Sequence, residues 1–185
     1  MRKFVDKFTL RRIEDWSARL QFFESLSTTR AQFKLGAIAT SLNKEFPDDT
    51  FVQNLFLPTI RGAIAIREKD PDRAVRSLEP ARAYEIGVEG GLLPAYMRGL
   101  AYLDAKDGTK AAAEFQTVIE HPGVVLDAPI GPLARLQIAR AFVMQKNLSQ
   151  AKTAYDQFLD QWKGADPDIP ILKAAKNEYS DLRFQ

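Results

Sequence analysis

Apolar positions recur about every three to five residues along this chain with charges between them, as on helices that bury one face. Phe8, Ile13, Trp16, Leu20, Phe23 and Leu26 predict an amphipathic helix over 8–26. Ser27, Thr28 and Thr29 are N-cap residues for a second helix reaching about Phe46, with Phe33, Ala37, Ile38 and Leu42 on one face and Pro47 ending it. Asp48, Asp49 and Thr50 cap the next stretch, FVQNLFLPTIRGAIAIREK. Pro58 predicts either a short turn followed by the main helix to Lys69, or one helix kinked at the proline. Asp70 then caps a helix that has Pro71 at its first position and runs to about Tyr84, bent or shortened by Pro80, with Gly87, Gly90 and Gly91 in the loop beyond.

Pro94 opens a helix to about Lys106, and a second begins after Gly108 with Thr109 as cap and closes at His121, Pro122 and Gly123. An irregular insertion, VVLDAPIG, follows. Helices from about Pro132 to Gln145 and from about Ser149 to Lys163 flank the turn Lys146, Asn147 and Leu148. After the break GADPDIP, a last helix from about Ile169 to Leu182 places Ile171, Leu172, Ala175, Tyr179 and Leu182 on one side.

Within this pattern one constellation repeats. Gly99 and Tyr102 are followed nine residues later by Ala111 and four after that by Phe115; Gly62, Ala65, Ala74 and Leu78 keep the same offsets, as do Ala139, Phe142, Ala151 and Tyr155. Two helices approach closely only where side chains are small, and a larger residue fills the space beside the crossing. Burying one such as Phe115 is worth about 1.5–3 kcal/mol.

These offsets resemble the tetratricopeptide repeat, G-x2-Y followed by A-x3-F. The resemblance implies an all-α fold, a right-handed superhelix (α-solenoid) of helical hairpins with a C-terminal capping helix, in a single domain over 1–185. Its parts would be an atypical N-terminal pair at 8–46, units at 50–84, 94–121 and 132–163, and the capping helix at 169–183. Ala74 to Ala111 spans 37 residues and Ala111 to Ala151 spans 40, against about 34 for a minimal repeat, which locates the insertions. The resemblance also implies a concave groove contacted through Thr59, Ala63 and Ile66, then Tyr96, Leu100 and Leu103, then Leu136, Arg140 and Val143. That face is mainly apolar with few amides or lysines, so it departs from the repeats that clamp chaperone C-termini. Such a groove either receives a partner or is filled by the curling of the array itself.

A narrower resemblance covers 46–179, which is similar to the C-terminal tetratricopeptide region of some bacterial serine/threonine protein kinases. The residues that carry it are FPDDTFVQ, LPTIR, LPAYMRGLAYL, AAAEFQ and above all DQFLDQWKGADPDIPILKAAKNEY. It implies a regulatory or sensory segment of a kinase signalling system. The chain has no V-A-I-K, H-R-D or D-F-G context and cannot itself transfer phosphate.

Composition adds limits. The chain has 185 residues, 45% hydrophobic and 27% charged, with a formal charge of +2, enough for one substantial core and too little charge to imply a polyanionic partner. The basic residues of the first thirty are interleaved with acidic ones, so no nucleic-acid partner is expected. Absence of cysteine excludes disulfides, thiolate metal sites and thiol catalysis. No apolar run of about eighteen residues exists, so no membrane insertion is expected. MRKFVDKFTLRR lacks the apolar centre of a signal peptide. The expectation is therefore a cytoplasmic chain, or a periplasmic or extracellular one if it is a fragment of a membrane kinase.

Candidate chemistry is sparse. The single histidine, His121, suits a helix C-terminus, and neither a triad nor a phosphate loop is present, so no cofactor, metal or catalytic residue is assigned. Arg61 and Arg98 each precede the glycine anchor of their unit, where Ile138 stands in the third. Each pairs internally, with an acid such as Glu79, Glu85 or Glu114, or else is a candidate anion-binding residue of the groove. The reading is a non-catalytic module that binds a protein or peptide in a concave groove. The alternatives are the kinase-linked segment, and a small-ligand binder or enzyme with a pocket near Arg98 and the 124–131 loop.

Overall fold

Most of the caps and prolines lie at or near helix ends, and the computed structural model, which describes residues 29–182 apart from 88 and 127, contains only helices and their connections within that span. The helix expected over 8–26 and the side chain of Phe33 lie outside the described residues. Helix α1 is Thr29–Glu45. It turns Leu35 inward and leaves Ala37 and Ile38 exposed, a correction to the face expected from its pattern.

Asp49 caps the next helix, its Oδ1 accepting from the Val52 amide at 2.9 Å. Ahead of Pro58 the backbone widens into a π-turn over Val52–Phe56, where the Leu57 amide reaches back to the Val52 carbonyl, and continues without a break into α2, Leu57–Arg67. Proline has no amide to give, and its ring collides with a carbonyl one turn back. The wider turn accommodates both. Helix α3, Pro71–Leu78, stops short of Pro80, which lies in a 3-10 turn over Glu79–Ala83.

Helices α4, Leu93–Asp104, and α5, Gly108–Glu120, form the second hairpin; α6, Pro122–Val125, is a single turn that takes in the expected helix stop at Pro122 and Gly123 and the first two residues of the expected irregular insertion. Helix α7, Ile130–Met144, begins two residues earlier than Pro132 predicts, because a first-turn proline amide has no helical partner to lose. Helix α8, Leu148–Gln161, completes the third hairpin and α9, Pro170–Leu182, follows it.

The reversal inside each hairpin is built the same way three times. Lys69, Lys106 and Lys146 adopt left-handed backbone, with φ of 57°, 63° and 60°. The amide just after each one reaches back five residues, from Asp70 to Ala65, Asp107 to Tyr102 and Asn147 to Phe142. Those same residues then cap the second helices, accepting from the amides of Arg73, Lys110 and Gln150. The cap of α5 is therefore Asp107, and Thr109 lies inside the helix.

The small anchors sit where the helices cross. A Cβ added to Gly62 would lie 2.5 Å from Leu78, and one added to Gly99 would lie 2.5 Å from Phe115. Ala65, Ala74, Ala111, Ala139 and Ala151 are all fully buried. Helices α2, α4 and α7 are successive neighbours, with α3 packed on α4, α5 on α7 and α9 on α8. The largest apolar core runs from Leu92 to Leu182 through Phe115, Tyr155 and Phe158. The first hairpin joins it through two small clusters, Ala63, Leu78 and Met97 in one and Ala65, Ala74 and Ala101 in the other.

Candidate functional site

Arg98 has no exposed surface, so its charge must be met from inside. Its guanidinium donates to both oxygens of Glu85 at 2.8 Å and to both oxygens of Glu114 at 2.8 and 2.9 Å. Arg82 adds a bond to Glu114 at 2.9 Å and an ion pair to Glu79 at 3.1 Å. Burial alone would lower the pKa of Arg98; the two carboxylates more than offset this and hold it above the ordinary arginine value.

The candidate anion site at Arg98 is thus an internal ion pair, with every guanidinium nitrogen already donating to an acid of the chain. Arg61 has the same register position but is exposed. The acid explains the difference: Glu114 stands three residues after the anchor Ala111, and the corresponding residues are Ser77 and Ala154.

Between α2 and α4 a cleft of about 190 Å³ opens, walled by Leu55, Phe56, Thr59, Ile60 and Ala63 on one side and Leu93, Pro94 and Met97 on the other. Glu89 and Gly90 close one end of it. They belong to the segment that Glu85 ties to Arg98, and it is folded tightly on itself: the Leu92 amide donates to the Glu85 carbonyl at 2.9 Å. A Cβ on Gly90 would lie 2.5 Å from the Glu85 Cα. The hydroxyl of Thr59 donates to the Leu55 carbonyl at 2.6 Å, so the wall presents its methyl as well as apolar carbons.

The other groove candidates are distributed differently. Leu100, Leu103 and Val143 are partly buried against the core, whereas Tyr96 and Leu136 belong to it and have almost no surface to offer a partner. Burial pushes the Tyr96 hydroxyl up to about 12. Arg140 donates through Nε and Nη2 to both oxygens of Glu178 on α9 at 2.9 and 2.7 Å, and the Tyr155 hydroxyl donates to the same carboxylate at 2.8 Å. Tyr179 stacks on Tyr155 with centroids 5.7 Å apart. Around α7 the expected groove residues are taken up by the core and by α9, whereas a cleft stays open between α2 and α4.

In the 124–131 segment, Val125, Ala128 and Ile130 turn into the main core. At the end of α5, Nδ1 of His121 lies 2.8 Å from the Thr117 carbonyl, a bond that requires the proton on that nitrogen. No group of three or more metal-ligating side chains occurs among the described residues, and no helix among them is long and apolar enough to cross a membrane.

Residues 133–164 match the family model of the tetratricopeptide repeat. They are most of α7 and all of α8, the hairpin in which Ala139, Phe142, Ala151 and Tyr155 keep the register. The fold is a tetratricopeptide-like solenoid. The match supports a tetratricopeptide repeat protein, and such repeats generally mediate protein–protein contacts without catalysing a reaction. No curated protein matches the chain, and no solved structure does. Sequence reasoning passed over Leu93, Pro94 and Met97 as cleft walls. The one available signal was their place in the first two turns of α4, opposite Thr59 and Ala63.

Proposed function

We propose that this chain is a non-catalytic interaction module that takes a peptide or helix of a partner protein on its concave side, with the α2–α4 cleft as the seat for an apolar side chain. The observation that carries this is the cleft itself: an opening between first helices of adjacent repeats whose accessible walls are Phe56, Thr59, Ile60 and Leu93. A shallow apolar slot between preformed helices accepts an anchor without reorganising the stack. Thr59, at its rim, is the contact residue of choice. Regulation of a kinase, implied by the likeness over 46–179, would use the same seat.

Peptides selected from a displayed random library against the intact chain, then measured with Thr59→Trp, test the reading. The indole fills the slot, so affinity falls at least about tenfold, or roughly 1.4 kcal/mol, while the melting temperature holds. Selected peptides that bind Thr59→Trp as tightly as the parent would overturn it.

A further inference from the structure

The junctions between successive hairpins are built on one register, and two of them have opposite contents. Between the first and second hairpins the place is filled by Glu79, Arg82, Arg98 and Glu114, joined by ion pairs. Advancing each by one repeat, 37 residues for the first two and 40 for the others, gives Gln116, Ile119, Ile138 and Ala154. These four line a groove of about 390 Å³ between α5, α7 and α8. The space is open because an isoleucine and an alanine occupy what an arginine and a glutamate fill one repeat earlier.

The remaining lining gives the groove its chemistry. Arg135 is half-buried in it, flanked by Gln150, Thr153 and Gln157 of α8, and no carboxylate is among the lining residues. Arg98 and Arg140 each hold a carboxylate in two bonds. Arg135 has no ion pair or side-chain hydrogen bond among the described residues. A half-desolvated guanidinium is a strong, planar donor for a carboxylate, while Ile119, Ile138 and Phe142 offer apolar surface beside it. Arg135, Ile138 and Phe142 lie on the side of α7 turned away from Leu136, Arg140 and Val143, so this groove is separate from the α2–α4 cleft.

We infer that the α5–α7–α8 groove binds a peptide carboxylate carried next to an apolar side chain, with Arg135 taking from a partner the acid that Glu114 supplies within the chain one repeat earlier. Gln157, with the remaining amide groups of Gln116, whose Nε2 donates to Glu120, and of Gln150, whose Oε1 accepts from Asn147, orients the peptide groups around it. A chain-terminal carboxylate and an aspartate or glutamate side chain share this chemistry.

Titrating the isotope-labelled full chain by NMR separates the cases. N-acetyl-leucine supplies a terminal carboxylate, N-acetylglutamic acid α-amide a side-chain carboxylate, and N-acetyl-leucinamide neither. At least one carboxylate probe should produce saturable shifts of the Arg135 Nε–H and of the Gln116, Gln150 and Gln157 amides. The neutral amide should not, and Arg135→Met, with its backbone spectrum retained, should raise the saturating concentration at least about tenfold. The probe that saturates at lower concentration identifies the source of the acid. The inference is overturned if neither carboxylate saturates, if the neutral amide shifts the same signals equally, or if Arg135→Met titrates as the parent does.

Discussion

At residue scale the clearest lesson is how one position of the register changes meaning with its neighbour. Residues 61, 98 and 138 each precede a small anchor, yet the first is exposed, the second is fully buried among acids and the third is packed with alanine. What decides is the residue three beyond the second anchor: Ser77, Glu114 or Ala154. Replacing Arg98 with Met leaves Glu85 and Glu114 buried without their main partner, and removing one partner of a buried pair costs about 3–5 kcal/mol. Chemical denaturation of Arg98→Met should show a loss of this size. A loss below about 1 kcal/mol would mean that water reaches the acids.

The register was legible in the sequence because small residues at helix crossings have no substitute. Glu79, Glu85 and Glu114 were legible as acids for an arginine, and two of them, Glu85 and Glu114, hold Arg98. The left-handed lysines were not legible. A lysine in that conformation costs about 1–2 kcal/mol, so composition points to Gly108 as the turn, and only the backbone shows Lys106 there with Asp107 as cap.

Among the elements, α9 docks through electrostatic as well as apolar contacts. Leu172, Ala175 and Leu182 are buried, and Glu178 receives bonds from Arg140 of α7 and Tyr155 of α8. Burial alone would raise the Glu178 carboxyl, but the bonds from Arg140 and Tyr155 more than offset it and hold it below the ordinary value of 4.5. A depressed carboxylate contributes stability that is present above its unfolded pKa and lost as pH falls through the folded one. Docking of α9 should therefore weaken on acidification below about pH 4.5, read by amide exchange along 170–182. Glu178→Gln should start from weaker protection and lose most of that pH dependence; an unchanged acid response would place the titrating group elsewhere. The sequence predicted this helix and its apolar side, but the acid that ties it to two others is separated from them by 38 and 23 residues, beyond what periodicity can relate.

Taken as a whole, the molecule is a stack whose hairpins are unequally anchored. The second and third share one continuous apolar core with α9, whereas the buried apolar contacts of the first with α4 are two clusters of three residues each, with the Arg82–Glu114 and Arg98–Glu85 ion pairs beside them. In repeat arrays, stability is close to a sum of unit and interface contributions, so the unit with the smaller interface opens first. Native-state hydrogen exchange should find α2 and α3 opening at lower free energy than α5, α7 and α8. Equal protection across the stack would show that the two small clusters couple it as strongly as the main core does. The same inequality places the open cleft at the less tightly held junction.

By itself the sequence determined the helices of the three hairpins and of α9, their approximate limits, the three-fold register and hence the repeat architecture. Those rest on local forces, caps, prolines and small residues at crossings, that act within a hairpin. Tertiary structure alone decided which face of each helix stays open. Tyr96 and Leu136 were expected in the groove and are core, Arg98 is sealed between two acids, and Arg135 has no ion pair among the described residues. Exposure is set by what neighbouring elements bring to a surface, and for Arg98 those residues lie 13 and 16 positions away, outside the reach of any pattern local to the helix.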